Sequence, residues 1–273
     1  MSKRKQTKKT VSHHPKRSRL LVVLMGVAIA CLGLLVCMIV ATHVAATRSV
    51  TESPKSEMKV LPPEVKKQIQ TASPAASFRI PVLMYHYVEY VKDTNDKTRQ
   101  LLNVTPDVFE AQLQTLNNAG YTFMTAKELG DVLDGRMQVP KYPILLTFDD
   151  GHWDLDTVVL PLLKKYHIKA TAYIIPGFID GSDFLTQEQL QDVIDSGLVD
   201  VGAHTVHHVS LSKQSLATDQ YEIAESKKML EDMYHIHVVS FAYPNGAFDL
   251  QAANVVKEAG FSTAVSTIPG HIS

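Results

Sequence analysis

The stretch LLTFDDGHWD, residues 145–154, places two adjacent carboxylates and then a glycine at the end of an apolar, β-prone run. Asp149 and Asp150 lie where a strand should give way to a loop, and their like charges repel each other. An Asp-Gly pair is a common turn former, so a plain turn is one interpretation. The other interpretation is that a nearby cation offsets the repulsion between the two carboxylates.

Strand-like and helix-like segments alternate around this stretch, from residue 78 to the end of the chain. The seven predicted strands are residues 80–85, 121–124, 144–148, 170–175, 199–202, 238–243 and 262–266. Helices are predicted near 125–134, 155–166, 186–196, 216–234 and 249–259. This alternation predicts a parallel α/β architecture. An open sheet and a closed barrel both fit the pattern.

The clearest helix signals lie in TPDVFEAQLQTLNNAG, which begins at Thr105. Thr105 is the predicted N-cap, Pro106 occupies the first turn and Gly120 ends the helix. The predicted apolar stripe of this helix consists of Val108, Phe109, Leu113 and Leu116.

The amino-terminal part of the chain has the pattern of a membrane anchor. Residues 1–19 carry eight Lys/Arg and no acid, and residues 20–42 form an uncharged apolar run. A helix of that length reaches about 34 Å, enough to cross a bilayer core of ~30 Å. We therefore expect a cytoplasmic tail (1–19), a transmembrane anchor (20–42), an extracytoplasmic linker (43–77) and an outer domain (78–273). A cleaved signal peptide is the alternative, but the apolar run exceeds the usual 7–15 residues.

The outer part of the chain is acidic, with 19 Lys/Arg against 28 Asp/Glu from residue 47 onward. This balance argues against nucleic acid as a partner. Both cysteines, Cys31 and Cys37, lie in the apolar run, so the outer part has neither disulfides nor thiolate ligands. Any metal there must be held by histidine and carboxylate groups.

Polar residues follow four of the predicted strands, at the end of each strand. His86 follows IPVLMY, the Asp pair follows PILLTF, the segment HTVHH (204–208) follows LVDVGA, and YPNG follows the strand that ends near 243. In parallel α/β folds the carboxyl ends of the strands form the edge where sites are built. We therefore expect these residues to share one site.

The residue types at this edge indicate a catalytic metal site. His204 and His208 are four residues apart, which puts both imidazoles on one side of a helical turn. Asp150 completes a set of two histidines and one carboxylate that leaves coordination positions open. His207 is a lesser candidate ligand, and a merely polar loop is the alternative. Asp149 would then be free to accept a proton from a water that the cation activates.

These motifs resemble a known family. TFDDG, the HTxxH within HTVHH, and FAYPNG are similar to the first three motifs of the polysaccharide deacetylases, the carbohydrate esterases that share the NodB-homology domain. The opening IPVLMYHYV resembles the subgroup with a circularly permuted motif order, as in biofilm-polysaccharide deacetylases. The resemblance implies a distorted (β/α) barrel of about seven parallel strands. It also implies one divalent metal, Zn²⁺ first and Co²⁺, Ni²⁺ or Mn²⁺ as alternatives.

Carried over by position, the resemblance assigns Asp149 as the catalytic base. It assigns Asp150, His204 and His208 as the metal ligands.

Further roles follow from the same resemblance. The backbone N–H of Tyr243 would donate to the oxyanion, Pro244 and Gly246 would shape that loop, and Thr205 would brace the metal loop by hydrogen bonding. The arginine usual in the third motif is absent from SFAYPNG. The usual late histidine is also absent, so His86 is the candidate general acid in its place.

Weaker expectations concern the neighbouring aromatic and histidine side chains. Trp153, the only tryptophan, and Tyr87 are candidate surfaces for stacking against sugar rings, with core packing as the alternative for each. His152 is expected to be solvated.

The resulting hypothesis is a membrane-tethered hydrolase that removes acetyl groups from N-acetylglucosamine residues of an extracellular or cell-wall polysaccharide. Removal of O-acetyl groups, as from acetylxylan, is one alternative. A non-catalytic glycan-binding domain is another, although a binding domain has no use for the spare carboxylate of Asp149. Apart from the polysaccharide and the membrane, no partner is expected.

Overall fold

A computed structural model of the chain describes residues 79–269. The predicted cytoplasmic tail, membrane anchor and linker lie outside these residues. Within residues 79–269, no helix is both long enough and apolar enough to span a bilayer.

Seven strands form one parallel sheet. They are β1 (Val82–Tyr85), β4 (Thr122–Met124), β5 (Pro143–Asp150), β6 (Ala170–Ile174), β7 (Val199–Ala203), β8 (Ser240–Ala242) and β9 (Thr263–Val265). Their order is β1-β5-β6-β7-β8-β9, and β4 pairs with the beginning of β5. All seven predicted strands are therefore confirmed. A separate pair, β2 (Tyr87–Val88) and β3 (Asn103–Val104), was not expected from the sequence because each strand has only two residues.

Eight α-helices lie within the described residues. They are α1 (Lys97–Leu101), α2 (Pro106–Asn118), α3 (Ala126–Leu133), α4 (Leu160–Tyr166), α5 (Gln187–Asp195), α6 (Leu216–Gln220), α7 (Ser226–Tyr234) and α8 (Leu250–Glu258). A π-helical turn, Leu155–Val159, precedes α4, and a second, Tyr221–Glu225, joins α6 to α7. Short 3₁₀ turns cover Pro176–Phe178 and Pro244–Gly246.

Helix α2 begins and ends where its signals predicted. Thr105 is the N-cap residue, and Gly120 has a φ of +79° just beyond the helix. Phe109 and Leu113 are buried, whereas Val108 is 46% exposed. The expected place of Val108 in the apolar stripe was wrong because the helix buries a narrower face than its sequence offers.

The sheet is curled but open, so the predicted barrel is realised only as a half-barrel. Strands β1 and β9 end the strand order, and no pairing joins them among the described residues. Pro81 beside β1 has no N–H to donate, and β9 is only three residues long. A cleft of about 870 Å³ lies along these two edges, and its lining includes Val82, Val265, Thr147 and Asp149.

Strand β5 holds the Asp pair in place. It continues past its predicted end at residue 148, because Asp149 pairs with Tyr173 and Asp150 with Ile174 on β6. The ring of Phe148 packs against Tyr85 and Phe109, with centroids 5.4 and 5.8 Å apart. A packed aromatic cluster therefore fixes the strand end that carries both carboxylates.

Gly202 on β7 marks the tightest point inside the curled sheet. A Cβ atom there would lie 2.5 Å from Ser240 Oγ and 2.5 Å from the ring of Tyr173. We expect Gly202→Ala to lower the free energy of unfolding by about 1–3 kcal/mol through overpacking. Urea unfolding followed by circular dichroism measures the change.

Gly130→Ala is the matched control, because its Cβ would approach no atom closer than 3.2 Å, from Ser262 Cβ. The cost of this tight contact should be offset by the helix propensity of alanine, which exceeds that of glycine by about 1 kcal/mol. The urea concentration at the unfolding midpoint should therefore stay close to that of the wild type. A Gly202→Ala protein as stable as wild type would contradict this account of the packing.

Candidate metal centre

Three side chains converge at the carboxyl end of the sheet. Asp150 ends β5, and His204 and His208 lie in the loop that follows β7. Asp150 Oδ1 lies 3.4 Å from His204 Nε2 and 3.3 Å from His208 Nε2. The three ligand atoms all lie within 4.8 Å of one another. The structure thus brings together the three residues that the sequence proposed as ligands.

The free atoms of this cluster fit a divalent cation. His204 Nδ1 lies 2.7 Å from the carbonyl oxygen of Ala242, which can only accept, so Nδ1 carries the proton and Nε2 keeps its lone pair. Asp150 Oδ1 is buried and has no hydrogen-bond partner among residues 79–269. One orphaned carboxylate oxygen facing two imidazole nitrogens is a donor set that suits Zn²⁺ and similar ions.

The charge states of Asp150 and His208 agree with a ligand role. Burial opposes ionisation of Asp150, but contacts with His152 and His204 hold the pKa of this carboxyl well below its usual range. Burial and the neighbouring His204 lower the pKa of His208. A carboxylate anion and a neutral imidazole are the forms in which these groups bind metal. Burial would lower the pKa of His204, but its contact with Asp150 and the nearby charge of Asp149 raise it.

Asp149 lies beside the cluster and is nearly buried, with 7% of its surface exposed. Burial raises the pKa of Asp149, whereas His204 and His86 oppose that rise. Its Oδ1 atom has no hydrogen-bond partner within the described part of the chain. Asp149 also lines the cleft along β1 and β9. A buried, unpaired carboxyl beside a candidate metal site is a typical feature of catalytic groups.

The loop that carries the two histidines has an unusual backbone. Thr205 has a φ of +63° and His208 a φ of +55°, in the left-handed region that non-glycine residues rarely adopt. Thr205 is fully buried, and its hydroxyl has no hydrogen-bond partner in the described segment. The predicted bracing by its side chain is therefore wrong. Glu222 makes that contact instead, accepting hydrogen bonds from the backbone N–H groups of Val206 and His207.

His207, the lesser candidate ligand, does not join the cluster. Its Nδ1 lies 2.9 Å from Glu222 Oε1, and half of its side chain is exposed. The preference for His208 over His207 as the partner of His204 therefore agrees with the geometry.

His152 was expected to be solvated, and this expectation is wrong. Only 4% of the residue is exposed, and its Nε2 lies 3.4 Å from Asp150 Oδ2. The ring stacks with Tyr87 at 4.0 Å and with Phe184 at 4.9 Å between centroids. The stacking partners come from distant segments, so only the fold could reveal that this side chain is buried beside the candidate ligand.

Tyr87 and Trp153 differ in their surroundings. The ring of Tyr87 contacts both His152 and the guanidinium of Arg99, which lies 4.5 Å from its centroid. Tyr87 is thus packed between protein groups, as its alternative interpretation held, and does not offer a sugar platform. Trp153 is partly buried, and its backbone N–H donates to the carbonyl of Asp183 at 3.3 Å.

The predicted oxyanion donor is engaged elsewhere. The backbone N–H of Tyr243 donates to the carbonyl of Val265 at 3.0 Å, so it cannot also point at a substrate oxygen. The motif loop extends the pairing of β8 with β9, and this is why the expected role of Tyr243 does not fit. Pro244 and Gly246 are buried in the 3₁₀ turn, and a Cβ at Gly246 would collide with Thr267. Both residues are packed within this turn; their effect on a substrate stays a prediction.

His86 lies between β1 and β2 and is partly buried. The segment after it is anchored by Asp154, which is 2% exposed and accepts a hydrogen bond from the N–H of Val88. Asp154 and Glu222 were both missed in the sequence. For Glu222 the apolar pattern of the sequence gave no signal, because the residues at helical spacing from it, Asp219 and Ser226, are polar and their burial appears only in the structure.

Comparisons with known proteins find a matching family and similar chains. Residues 136–264 match the family model described as polysaccharide deacetylase. YxkH of Bacillus subtilis (strain 168), which carries the provisional name of polysaccharide deacetylase, is 30% identical over 263 residues, covering 94% of this chain and 89% of that protein. A poly-β-1,6-N-acetyl-D-glucosamine N-deacetylase of Staphylococcus epidermidis is 28% identical over 199 residues, covering 65% of this chain and 68% of that protein.

Solved structures of other proteins are also similar to this chain. The Streptococcus pyogenes deacetylase PplD, solved in complex with acetate, is 30% identical with a TM-score of 0.65 and covers 70% of this chain and 84% of its own. IcaB from Ammonifex degensii is 26% identical with a TM-score of 0.62 and covers 69% of this chain and 83% of its own.

The geometry predicts that Zn²⁺ stabilises the folded chain. At a free Zn²⁺ concentration of 100 times its dissociation constant, binding raises the free energy of unfolding by about 2.7 kcal/mol. This increase should raise the melting temperature by several degrees. Differential scanning fluorimetry of metal-free protein with and without Zn²⁺ measures the shift.

His204→Ala should abolish this shift, because it removes one of the three convergent ligands. His207→Ala, in the same loop, should keep it. The metal assignment fails if Zn²⁺, Co²⁺, Ni²⁺ and Mn²⁺ all leave the wild-type melting temperature unchanged.

Proposed function

The chain belongs to the polysaccharide deacetylase family, and from this membership we propose that it removes N-acetyl groups from N-acetylglucosamine residues of a cell-wall or extracellular polysaccharide. One observation carries the proposal: Asp150, His204 and His208 converge within 4.8 Å, and the unpaired carboxyl of Asp149, the residue before Asp150, lies close enough to His204 for the charge of that histidine to oppose the rise in the Asp149 pKa. A glycan-binding domain needs no such spare carboxyl, so the arrangement favours hydrolysis.

Asp150, His204 and His208 are the proposed metal ligands. When bound, a divalent cation supplies Lewis acidity, which makes water more acidic and an acetyl carbonyl more electrophilic. The contacts of His204 with Ala242 and of His152 with Asp150 orient two of the three ligands for that purpose.

Asp149 is the proposed general base. Its carboxylate takes a proton from the attacking water while the water oxygen forms a bond to the acetyl carbon. His86 is the proposed general acid, whose imidazolium gives a proton to the amide nitrogen as the carbon–nitrogen bond breaks. The products are acetate and the free amine of the sugar. The influence of His86 on the pKa of Asp149 supports this assignment, because the two groups must flank the same amide.

The proposed substrate rests on the relatives rather than on the cleft. The staphylococcal proteins to which the chain is similar are named as N-deacetylases of poly-β-1,6-N-acetyl-D-glucosamine. This similarity favours an N-acetylated polymer over an O-acetylated one such as acetylxylan. Release of the acetyl groups leaves amines on the polymer, which makes it cationic at neutral pH.

Acetate release by the full-length protein tests this function. The substrates are poly-N-acetylglucosamine, chitooligosaccharide, peptidoglycan and acetylxylan, each with Zn²⁺ and with a chelator in excess. We expect release from the N-acetylated substrates, and its loss on chelation. Release from acetylxylan alone would replace the proposal by O-deacetylation, and binding of a glycan without release would replace it by a binding function.

Asp149→Asn is the control that separates catalysis from metal binding. It should keep the Zn²⁺-dependent rise in melting temperature while acetate release falls by about 10²–10⁴-fold, the usual contribution of a general base. Equal activity in this variant and the wild type would rule out Asp149 as the base.

Anchoring through residues 20–42, with the catalytic domain outside the cell, is the proposed location. It suits a polymer that is too large to enter the cytoplasm. The full-length protein should sediment with membranes and resist extraction by high salt and carbonate, and protease added to intact protoplasts should digest residues 78–273. Recovery of a shortened, freely secreted chain would favour the cleaved signal peptide instead.

A further inference from the structure

A buried carboxylate lies directly behind the histidine loop. Glu222 is 5% exposed and belongs to the π-helical turn Tyr221–Glu225, far from the metal motifs in the sequence. Its Oε2 atom accepts hydrogen bonds from the backbone N–H groups of Val206 and His207, both at 2.9 Å. Its Oε1 atom lies 2.9 Å from His207 Nδ1. Both oxygens of one carboxylate are thus committed to the segment 204–208.

Neither ion pairing nor packing accounts for the charge of Glu222 at this buried position. Among the ion pairs of residues 79–269, Glu222 has no lysine or arginine partner, and His207 is its sole ionisable contact. A buried carboxylate without such a partner is costly unless several N–H groups satisfy it. An apolar residue would pack a helix against a loop at lower cost, so structural packing alone does not account for the glutamate.

The backbone of the loop 204–208 is strained, so neighbouring elements must stabilise it. Thr205 and His208 both have positive φ angles, a conformation of unfavourable energy that persists where the surroundings enforce it. Gly177 donates its N–H to the carbonyl of Val206 at 3.1 Å, and a Cβ at Gly177 would collide with that carbonyl oxygen. Glu222 accepts the N–H of His207, which belongs to the same peptide unit, and the N–H of Val206, which belongs to the preceding one. The loop is therefore held between two elements.

We propose that Glu222 is a positioning residue for the metal centre: it fixes the backbone of residues 204–208 so that His204 and His208 both face Asp150. The inference rests on the metal-dependent function proposed above. His204 and His208 flank the two peptide units that Glu222 holds, so a shift of those units moves the imidazoles relative to Asp150. The π turn supports this role, because such irregular turns in helices are frequent at functional sites.

The test is the Zn²⁺ affinity of full-length Glu222 variants, measured by competition with a chromophoric chelator. Glu222→Ala should bind Zn²⁺ about 10–100-fold more weakly, the usual effect of losing a residue that orients metal ligands. Glu222→Gln should stay within about threefold of wild type, because its amide oxygen can accept both N–H groups. Glu222→Asp should bind more weakly than Glu222→Gln, because its carboxylate is one methylene too short to reach them.

Two controls accompany the series. Glu225→Ala removes the other carboxylate of the same π turn, and His207→Ala removes the imidazole contact while leaving the backbone N–H groups in place. Both should keep Zn²⁺ affinity within about threefold of wild type. Circular dichroism of the metal-free proteins reports whether each variant is folded. If Glu222→Ala does not fold, the comparison of Glu222→Asp with Glu222→Gln decides the matter.

A folded Glu222→Ala protein with wild-type Zn²⁺ affinity would overturn the inference, and so would equal affinities of the Asp and Gln variants. Acetate release at saturating Zn²⁺ separates this inference from the proposed function. If the wild type binds Zn²⁺ and the Ala variant binds it weakly, while neither releases acetate from any substrate, then the deacetylase proposal fails and the positioning role of Glu222 stands.

Discussion

The arrangement of the site depends on the carboxylate of Asp150. One oxygen faces the Nε2 atoms of His204 and His208, and the other faces His152 Nε2 at 3.4 Å. Three imidazoles around one partly buried carboxylate leave little freedom in its orientation. The contact of Asp150 with His204 and His208 joins the end of β5 to the loop after β7, two strands along the sheet. A cation at this point would offset the repulsion between Asp150 and Asp149.

The parallel topology makes this contact possible. Because β5, β6 and β7 are hydrogen-bonded neighbours with the same direction, their carboxyl ends lie at one edge. Asp149 and Asp150 still belong to the β5–β6 ladder, so their backbones are fixed before the loop begins. The open side of the half-barrel then leaves Asp149 at the inner end of a cleft.

A second layer of buried polar groups holds the residues of the candidate site in place. Ala242 fixes the tautomer of His204, Glu222 holds the backbone of the histidine loop, and Asp154 anchors the segment after His86. Most of these contacts join a side chain to backbone N–H or C=O groups of another element. Such contacts fix the placement of the candidate ligands through backbone groups that have no side-chain freedom. They also account for carboxylates that are buried without a lysine or arginine partner among the described residues.

The sequence alone determined the seven parallel strands, the convergence of Asp150, His204 and His208, and the place of Asp149 beside them. The periodicity of the apolar residues identifies the strands, and the motifs follow the strand ends in the sequence. Because the carboxyl ends of parallel strands share one edge of the sheet, these motifs are expected to meet there. The burial of His152, the bracing by Glu222 in place of Thr205, and the engaged N–H of Tyr243 required the tertiary structure. Each depends on a contact between segments far apart in the chain, and on which backbone groups the sheet has already paired. Local sequence patterns do not contain that information, because the same residue can face solvent or a neighbouring element with equal local preference.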